Sequence, residues 1–269
     1  MRFELFFICC MLTVALVSCS EQSEKVITPD FFVSTSDRNP RIVGGSNATI
    51  EEVPYQISLR YCSPTSGNCG HFCGGSIINQ DTILTAAHCV FGDLPEWLEI
   101  RAGSDLRSQG GQIIKVRNII IHPDYQRSGL YNDVAVLKLR TRLTFGSKVM
   151  PIGLPPRGIS FRNGTPLLVS GWGALLWQGS SPERLQKVLV PYVPNEVCGN
   201  IYGNIRVTSL CAGEEGVDAC QGDSGGPLVY NNFVVGIVSG GSYCAFDGYP
   251  GTYARTSEFL GFISQAMMM

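Results

Sequence analysis

The run Gly222-Asp223-Ser224-Gly225-Gly226-Pro227 sets a serine hydroxyl in a glycine-rich turn. A serine hydroxyl is a weak nucleophile at neutral pH and needs a base within hydrogen-bond reach. Glycines on either side let the backbone bend sharply and approach a substrate without Cβ clashes. They also leave main-chain N–H groups free to face a developing oxyanion. Alone, Gly-Asp-Ser-Gly is as readily an ordinary turn. Two further stretches change its meaning. Thr85-Ala86-Ala87-His88-Cys89 offers a histidine, and Asn132-Asp133-Val134-Ala135-Val136-Leu137 opens an apolar strand with an aspartate. The order His, Asp, Ser is one of the known convergent orders of an acyl-transfer triad, and it excludes the orders in which the aspartate or the serine comes first.

With these three motifs the chain resembles the chymotrypsin-fold serine proteases, on the trypsin-like branch, from Ile42 to about Ile263. The resemblance implies peptide hydrolysis with His88 as base, Asp133 orienting it, Ser224 as nucleophile, and the N–H groups of Gly222 and Ser224 as oxyanion hole. An imidazole with an ordinary pKa near ~6.5 suits both proton acceptance and return. Ser239 matches the serine that hydrogen-bonds the triad aspartate. His71 and His122 stand in no matching motif and read as structural.

The same resemblance assigns specificity. Asp218, six residues before Ser224, matches the acid at the base of a pocket walled by Gly241 and Gly251. A buried carboxylate there favours a cationic side chain, so cleavage after Arg or Lys is expected. Ala219 replaces a serine common in the family. A lysine ammonium thereby loses a hydroxyl partner, whereas a guanidinium still pairs bidentately with Asp218, which favours Arg.

Four disulfides are implied by the family pattern: Cys73–Cys89, Cys198–Cys211, Cys220–Cys244 and, from the pair that remains, Cys62–Cys69. Three of the eleven cysteines, Cys9, Cys10 and Cys19, lie at the N-terminus and leave an even number behind. No His/Cys spacing resembles a zinc site, and no cofactor is expected.

The N-terminal elements are read from composition. Residues 1–19 carry Arg2 and then an apolar run from Leu5 to Val17, too short to span a bilayer comfortably, which fits a secretory signal peptide. Leu16-Val17-Ser18-Cys19 also fits a lipoprotein cleavage pattern, an alternative that would anchor the product. Residues 20–41 are polar, with Pro29 and Pro40, and read as a propeptide. Arg41 before Ile42-Val43-Gly44-Gly45 resembles the family's activation junction. Cleavage there frees the Ile42 amine to pair with Asp223. A trypsin-like protease, or the protein itself, is the implied activator.

Residues 42–269 are expected to form the protease domain. Short Val-, Ile-, Leu- and Tyr-rich runs alternate with Gly, Pro, Asn and Ser clusters, which points to an all-β sandwich or barrel. Through the resemblance this becomes two six-stranded antiparallel barrels, about 42–150 and 151–255, with the site in the cleft between them. A short helix is expected from Ser257 to about Met267, with Phe259, Phe262 and Ile263 inward and Met267-Met268-Met269 frayed. A net charge of −2 without a basic stripe excludes nucleic acid. No later segment is apolar enough for a membrane span. The expected product is a secreted monomer acting on proteins or peptides and open to proteinaceous inhibitors.

Two departures stand out. Gly240 occupies the place where the family usually has a tryptophan, whose indole walls the substrate residues upstream of the scissile bond; weaker binding of extended peptides is expected, with Leu130 left as an apolar contact. The family's calcium loop is not apparent, since Ser104 to Gly111 offers one carboxylate, too few for a good site. Asn47-Ala48-Thr49 and Asn163-Gly164-Thr165 read as glycosylation acceptors. The competing reading is a secreted binding protein descended from the family and catalytically weak, to which only Gly240 points.

Overall fold

The computed structural model describes residues 44–203 and 205–269. The expected signal segment, the propeptide, Arg41 and Ile42 lie outside the described residues.

Thirteen strands are present among the described residues. β1 (Ser46–Asn47) is followed by β2 (Gln56–Cys62), β3 (Cys69–Asn79), β4 (Thr82–Thr85), β5 (Leu98–Ala102), β6 (Gln112–Ile121) and β7 (Ala135–Leu139). β2 to β7 close in the order β2-β3-β4-β7-β6-β5. The second set is β8 (Pro166–Gly171), β9 (Gln186–Val193), β10 (Ser209–Ala212), β11 (Pro227–Tyr230), β12 (Phe233–Gly240) and β13 (Gly251–Arg255). It runs β9-β10-β13-β12-β11-β8 and closes through β8 on β9, with β1 added at β9. All pairings are antiparallel, so the fold is the expected pair of six-stranded barrels.

The strands follow from alternation. In β6, Ile114 and Val116 are buried while Ile113, Lys115 and Arg117 face outward. In β9, Val188, Val190 and Tyr192 point inward between more exposed neighbours. This period of two is what a half-buried strand requires. β7 differs, being buried along its whole length, because the C-terminal helix packs on its outer side. Even Lys138 is buried there, and its ammonium reaches Asp81 Oδ1 at 3.0 Å, Thr82 Oγ1 at 2.9 Å and the Met267 carbonyl at 3.0 Å.

Three α-helices occur among the described residues: α1 (Ala87–Val90), α2 (Asn195–Tyr202) and α3 (Leu260–Met268). The expected terminal helix is therefore split. A 3-10 turn at Thr256–Glu258 precedes α3, and the inward residues are Phe259, Ile263 and Ala266, with Phe262 half-buried. Met267 and Met268 are helical, and the bond from Lys138 holds the last turn that the sequence suggests should fray. No helix among the described residues is long and apolar enough to cross a membrane.

All four expected disulfides form: Cys62–Cys69, Cys73–Cys89, Cys198–Cys211 and Cys220–Cys244. Cys62 and Cys69 face each other in the β2–β3 register, so that bridge closes a hairpin the ladder already pairs.

Candidate active site

Strand register brings the histidine and the aspartate together. Thr85, the last residue of β4, pairs with Ala135, the first of β7. His88 lies three residues beyond one and Asp133 two before the other, so both emerge at the same barrel rim. Asp133 is fully buried. Its Oδ1 accepts the His88 backbone N–H at 2.8 Å, and its Oδ2 accepts His88 Nδ1–H at 2.7 Å and the Ser239 hydroxyl at 2.5 Å. A carboxylate only accepts, so Nδ1 carries the proton and Nε2 keeps its lone pair. That is the tautomer a general base needs.

Ser224 arrives from the other barrel. It stands three residues before β11, whose Pro227 pairs with Ile237, and Ser239 lies two residues beyond Ile237. The Ser224 carbonyl accepts from Gly74 N at 2.7 Å, tying this turn to β3. A Cβ placed on the next residue, Gly225, would fall 3.1 Å from Ala86 N, so the serine turn abuts the residues leading to His88. Among the described residues His88 Nε2 and Ser224 Oγ are not hydrogen-bonded; Nε2 lies 3.7 Å from Cys89 Sγ. Such contacts commonly tighten only when substrate is bound.

Gly222 has φ +98°, a conformation that glycine adopts without strain. Its carbonyl accepts from His71 Nε2 at 3.1 Å, while Asp223 N donates to the Cys220 carbonyl at 2.9 Å. The peptide between Gly222 and Asp223 is thus held at both ends. The N–H groups of Gly222 and Ser224 have no protein acceptor among the described residues. His71 is itself braced by Ser58 Oγ at 2.8 Å and by the edge of the buried Trp172 ring, with centroids 5.9 Å apart. Because the Gly222 carbonyl must accept, His71 carries its proton on Nε2 and takes the Ser58 hydroxyl at Nδ1. Burial pushes the His71 pKa down to about 4, so the ring is neutral at pH 7.

A cavity of about 260 Å³ opens beside Ser224. Asp218, 1 % exposed, lies on it together with Ala219, Gly241 and Gly251. Asp218 accepts from Ala219 N at 2.8 Å and Ala245 N at 3.2 Å. Burial outweighs these bonds and raises its pKa to about 7. Gly251 cannot carry a side chain here, since a Cβ would stand 2.6 Å from Asp218 Oδ1. Asp223 is fully buried and points elsewhere, accepting from Gly173 N at 2.8 Å and Cys220 N at 3.0 Å; burial pushes it up to about 6.

The family model described as Trypsin matches residues 42–263. The chain belongs to the trypsin family. It is 45 % identical over 228 residues to Trypsin delta of Drosophila melanogaster, covering 83 % of this chain and 87 % of that one. It is 42 % identical to Trypsin-1 of Astacus astacus, covering 82 % and 98 %. The Vitellin-degrading protease of Bombyx mori is 38 % identical, with 84 % and 85 % covered. As a trypsin-family enzyme the protein is a serine endopeptidase.

Several residues at this trypsin-family site escape sequence reasoning. His71 reads as structural because its partners, Ser58 and Gly222, lie 13 and 151 residues away. Trp177 and Tyr243, both lining the Asp218 cavity, meet edge to face with ring centroids 5.4 Å apart. The Ser104–Gly111 loop is held from beneath by buried Arg101, which donates to the Ser108 carbonyl at 2.9 Å and to the Gly110 carbonyl. Both acceptor residues Asn47 and Asn163 are exposed.

Proposed function

We propose that the protein is a secreted trypsin-like endopeptidase, made as a zymogen, that cleaves after Arg in preference to Lys. The observation carrying this reading is that Ser224 and the buried Asp218 line one cavity, so a cation drawn to the carboxylate brings its own carbonyl to the serine. A buried carboxylate held only by the Ala219 and Ala245 N–H groups favours a cationic side chain, because a neutral one leaves it without a counter-charge.

In the first half-reaction Ser224 Oγ attacks the scissile carbonyl carbon while its proton passes to His88 Nε2. The oxyanion takes the N–H groups of Gly222 and Ser224; losing one such donor costs roughly 2.7–4 kcal/mol of barrier in comparable enzymes. The C–N bond then breaks, the amine leaves with the proton from Nε2, and an acyl ester remains on Ser224. Water attacks that ester, giving its proton to Nε2, and the carboxylic product departs as Oγ regains a proton. Asp133 holds the ring in the required tautomer throughout.

Activation follows from Asp223. Cleavage after Arg41, by another trypsin-like protease or by the enzyme itself, releases the Ile42 ammonium. That cation pairs with the buried Asp223 carboxylate and orders the adjoining Gly222–Ser224 segment. Residues 1–19 direct export, Asn47 and Asn163 accept glycans, and proteinaceous inhibitors occupy the same cleft of the monomeric product.

The test is turnover of matched peptide amides ending in Arg, Lys, Tyr or Leu by protein cut after Arg41, with uncut protein and Ser224→Ala as controls. Cleavage of Arg above Lys, absent from both controls, is expected. Equal Arg and Lys turnover would remove the Arg preference, and no turnover with a confirmed free Ile42 terminus would remove the triad reading.

A further inference from the structure

The Cys62–Cys69 bond differs from the other three disulfides in what it does for the fold. It spans 7 residues of sequence, against 16, 13 and 24 for the others. A bridge restrains the unfolded chain less as the loop it closes shortens. The hairpin is also held without it. β2 and β3 pair from Gln56↔Ser76 out to Cys62↔Cys69. Beyond them Ser63 N donates to the Asn68 carbonyl at 2.9 Å, and Gly67 N to the Ser63 carbonyl at 2.8 Å. Breaking the bond leaves these hydrogen bonds in place.

The surroundings favour its breaking. Cys62 is buried, whereas Cys69 is half-buried and residues 64–68 and Gly70 beside it are exposed. The Lys115 ammonium lies 3.2 Å from Cys62 Sγ and 3.0 Å from Glu99 Oε2. Arg60 bonds Glu99 Oε1 and, at 2.8 Å, the Cys69 carbonyl. A Glu99 carboxylate oxygen stands within 4.8 Å of both sulfurs, so two cations flank the bridge against one anion. An ammonium beside a thiol lowers its pKa, and a thiol of lower pKa leaves a disulfide faster. The other bridges lack this combination. Cys198 and Cys211 are fully buried, and Cys73 and Cys89 nearly so. Cys244 is half-buried, but its sulfur meets the neutral Gln221 amide, with Nε2 at 3.3 Å.

The bond also stands close to the candidate site. Cys69 and His71 are two residues apart in β3, and His71 donates to the Gly222 carbonyl at 3.1 Å. The ladder register shifts between Leu59 and Arg60, and Arg60 pairs with His71. Outward from that irregularity only three pairs follow, Arg60↔His71, Tyr61↔Gly70 and the disulfide itself.

We propose that Cys62–Cys69 is an exchangeable disulfide, open to small thiols, whose reduction slackens the start of β3 and weakens the hold of His71 on Gly222. A thiolate attacks Cys69 Sγ, the S–S bond breaks, and its electron pair leaves on Cys62 Sγ beside Lys115. The attacking sulfur is then joined to Cys69 in a mixed disulfide. Where the attacker is a dithiol, its second thiolate attacks the sulfur bound to Cys69 and releases that cysteine. The dithiol is oxidised to a cyclic disulfide, and the protein gains two electrons and, as each sulfur is protonated, two protons. A small-molecule disulfide reverses the sequence. The effect on turnover rests on the proteolytic reading above; the exchange itself does not.

The test exposes protein cut after Arg41 to graded dithiothreitol, traps free thiols with iodoacetamide and locates the label by peptide mass spectrometry. Cys62 and Cys69 should be labelled before the six cysteines of the other bridges. Lys115→Met should slow their reduction about threefold or more at neutral pH, with melting temperature unchanged, and Lys115→Arg should restore the parent rate. At the dose that opens only this bond, turnover of an Arg amide should fall about threefold, a fraction of the loss from deleting an oxyanion donor. Oxidised glutathione should bring it back. The double variant Cys62→Ser, Cys69→Ser should start at the reduced level and ignore the dose. Labelling of Cys220 and Cys244 first, or an unchanged rate in Lys115→Met, would overturn the exchange site. Constant turnover while Cys62 and Cys69 are fully labelled would overturn the link to His71 and leave the proteolytic reading standing. No turnover before reductant is added would remove that reading and the link together, while the labelling order still decides the exchange site.

Discussion

His71 Nε2 donates to the carbonyl of Gly222 at 3.1 Å, which couples a half-buried ring in β3 to the turn that presents Ser224. The contact holds one side of the Gly222 Cα while its N–H meets no protein acceptor among the described residues. Catalysis through an oxyanion hole depends on donors already aimed before charge develops. On the proposed reading of Gly222 as an oxyanion donor, His71 positions that donor.

Replacing His71 with Phe removes that bond while keeping a ring against Trp172. We expect kcat to fall about tenfold, a fraction of the loss from deleting an oxyanion donor outright. A peptide aldehyde, whose adduct places an oxyanion at the same N–H groups, should bind more weakly in proportion. A small guanidine competitor, which needs only Asp218, should bind as before. Equal weakening of both ligands would mean that the variant has lost general structure.

The same ring governs acid stability. Its pKa is lowered from 6.5 to about 4, so between those values the unfolded chain binds a proton that the folded one refuses. Stability from this group is therefore complete above pH 6.5 and is lost as pH falls through about 4. The loss approaches about 3 kcal/mol at the acid end. Denaturant midpoints measured from pH 7 to pH 4 should drop less steeply in His71→Phe than in the parent protein. Parallel slopes would contradict the assignment.

Asp218 works with the opposite sign. Its pKa is raised from 3.8 to about 7, so stability is greatest below 3.8 and is lost as pH rises through 7. Asp218→Asn should melt at a higher temperature than the parent at pH 8, by about ten degrees for a relief of about 4 kcal/mol, and the gain should vanish at pH 4. The same change should abolish turnover of Arg substrates. In a His88→Ala background, affinity for a small guanidine should fall as pH drops below about 7, because the ligand needs the carboxylate. A pH-independent affinity between 5 and 8 would count against a raised Asp218 pKa.

Arg101 supplies a protein cation to the Ser104–Gly111 loop. Its guanidinium donates to the carbonyls of Ser108 and Gly110, and Glu183 Oε1 accepts Ser108 N–H at 3.0 Å on the other side. Melting temperature should be unchanged by a strong calcium chelator. Arg101→Met should cost about 1.5 kcal/mol, the lower end for hydrogen bonds from a charged donor, because Ser108 and Gly110 are exposed and water can take its place. A drop of several degrees on chelation would show that the loop takes a metal after all.

How much of this was legible in the chain depends on the range of the interactions. The nucleophile turn, the histidine and the aspartate are each short motifs whose chemistry resides in side-chain type, so they could be named before any fold was known. Strand alternation in β6 and β9 is equally local, and it marks which residues face a core without saying which strands pair. What the linear order could not show is contact between distant segments. His71 meets Ser58 across one hairpin but meets Gly222 only once both barrels are closed. Lys138 holds the last turn of α3 from a strand 129 residues earlier. Gly240 in the sequence is an absence, a missing ring and a weaker wall. In three dimensions it is an opening, because Leu130, Tyr131 and Arg206 arrive from two other loops to surround the vacated space. By itself, then, the sequence determined which functional groups are candidates for the reaction, since these are covalent properties of single residues. Only the tertiary structure decided their burial, tautomers and shared cavities, since desolvation and hydrogen-bond direction are set by neighbours that the chain brings in from elsewhere.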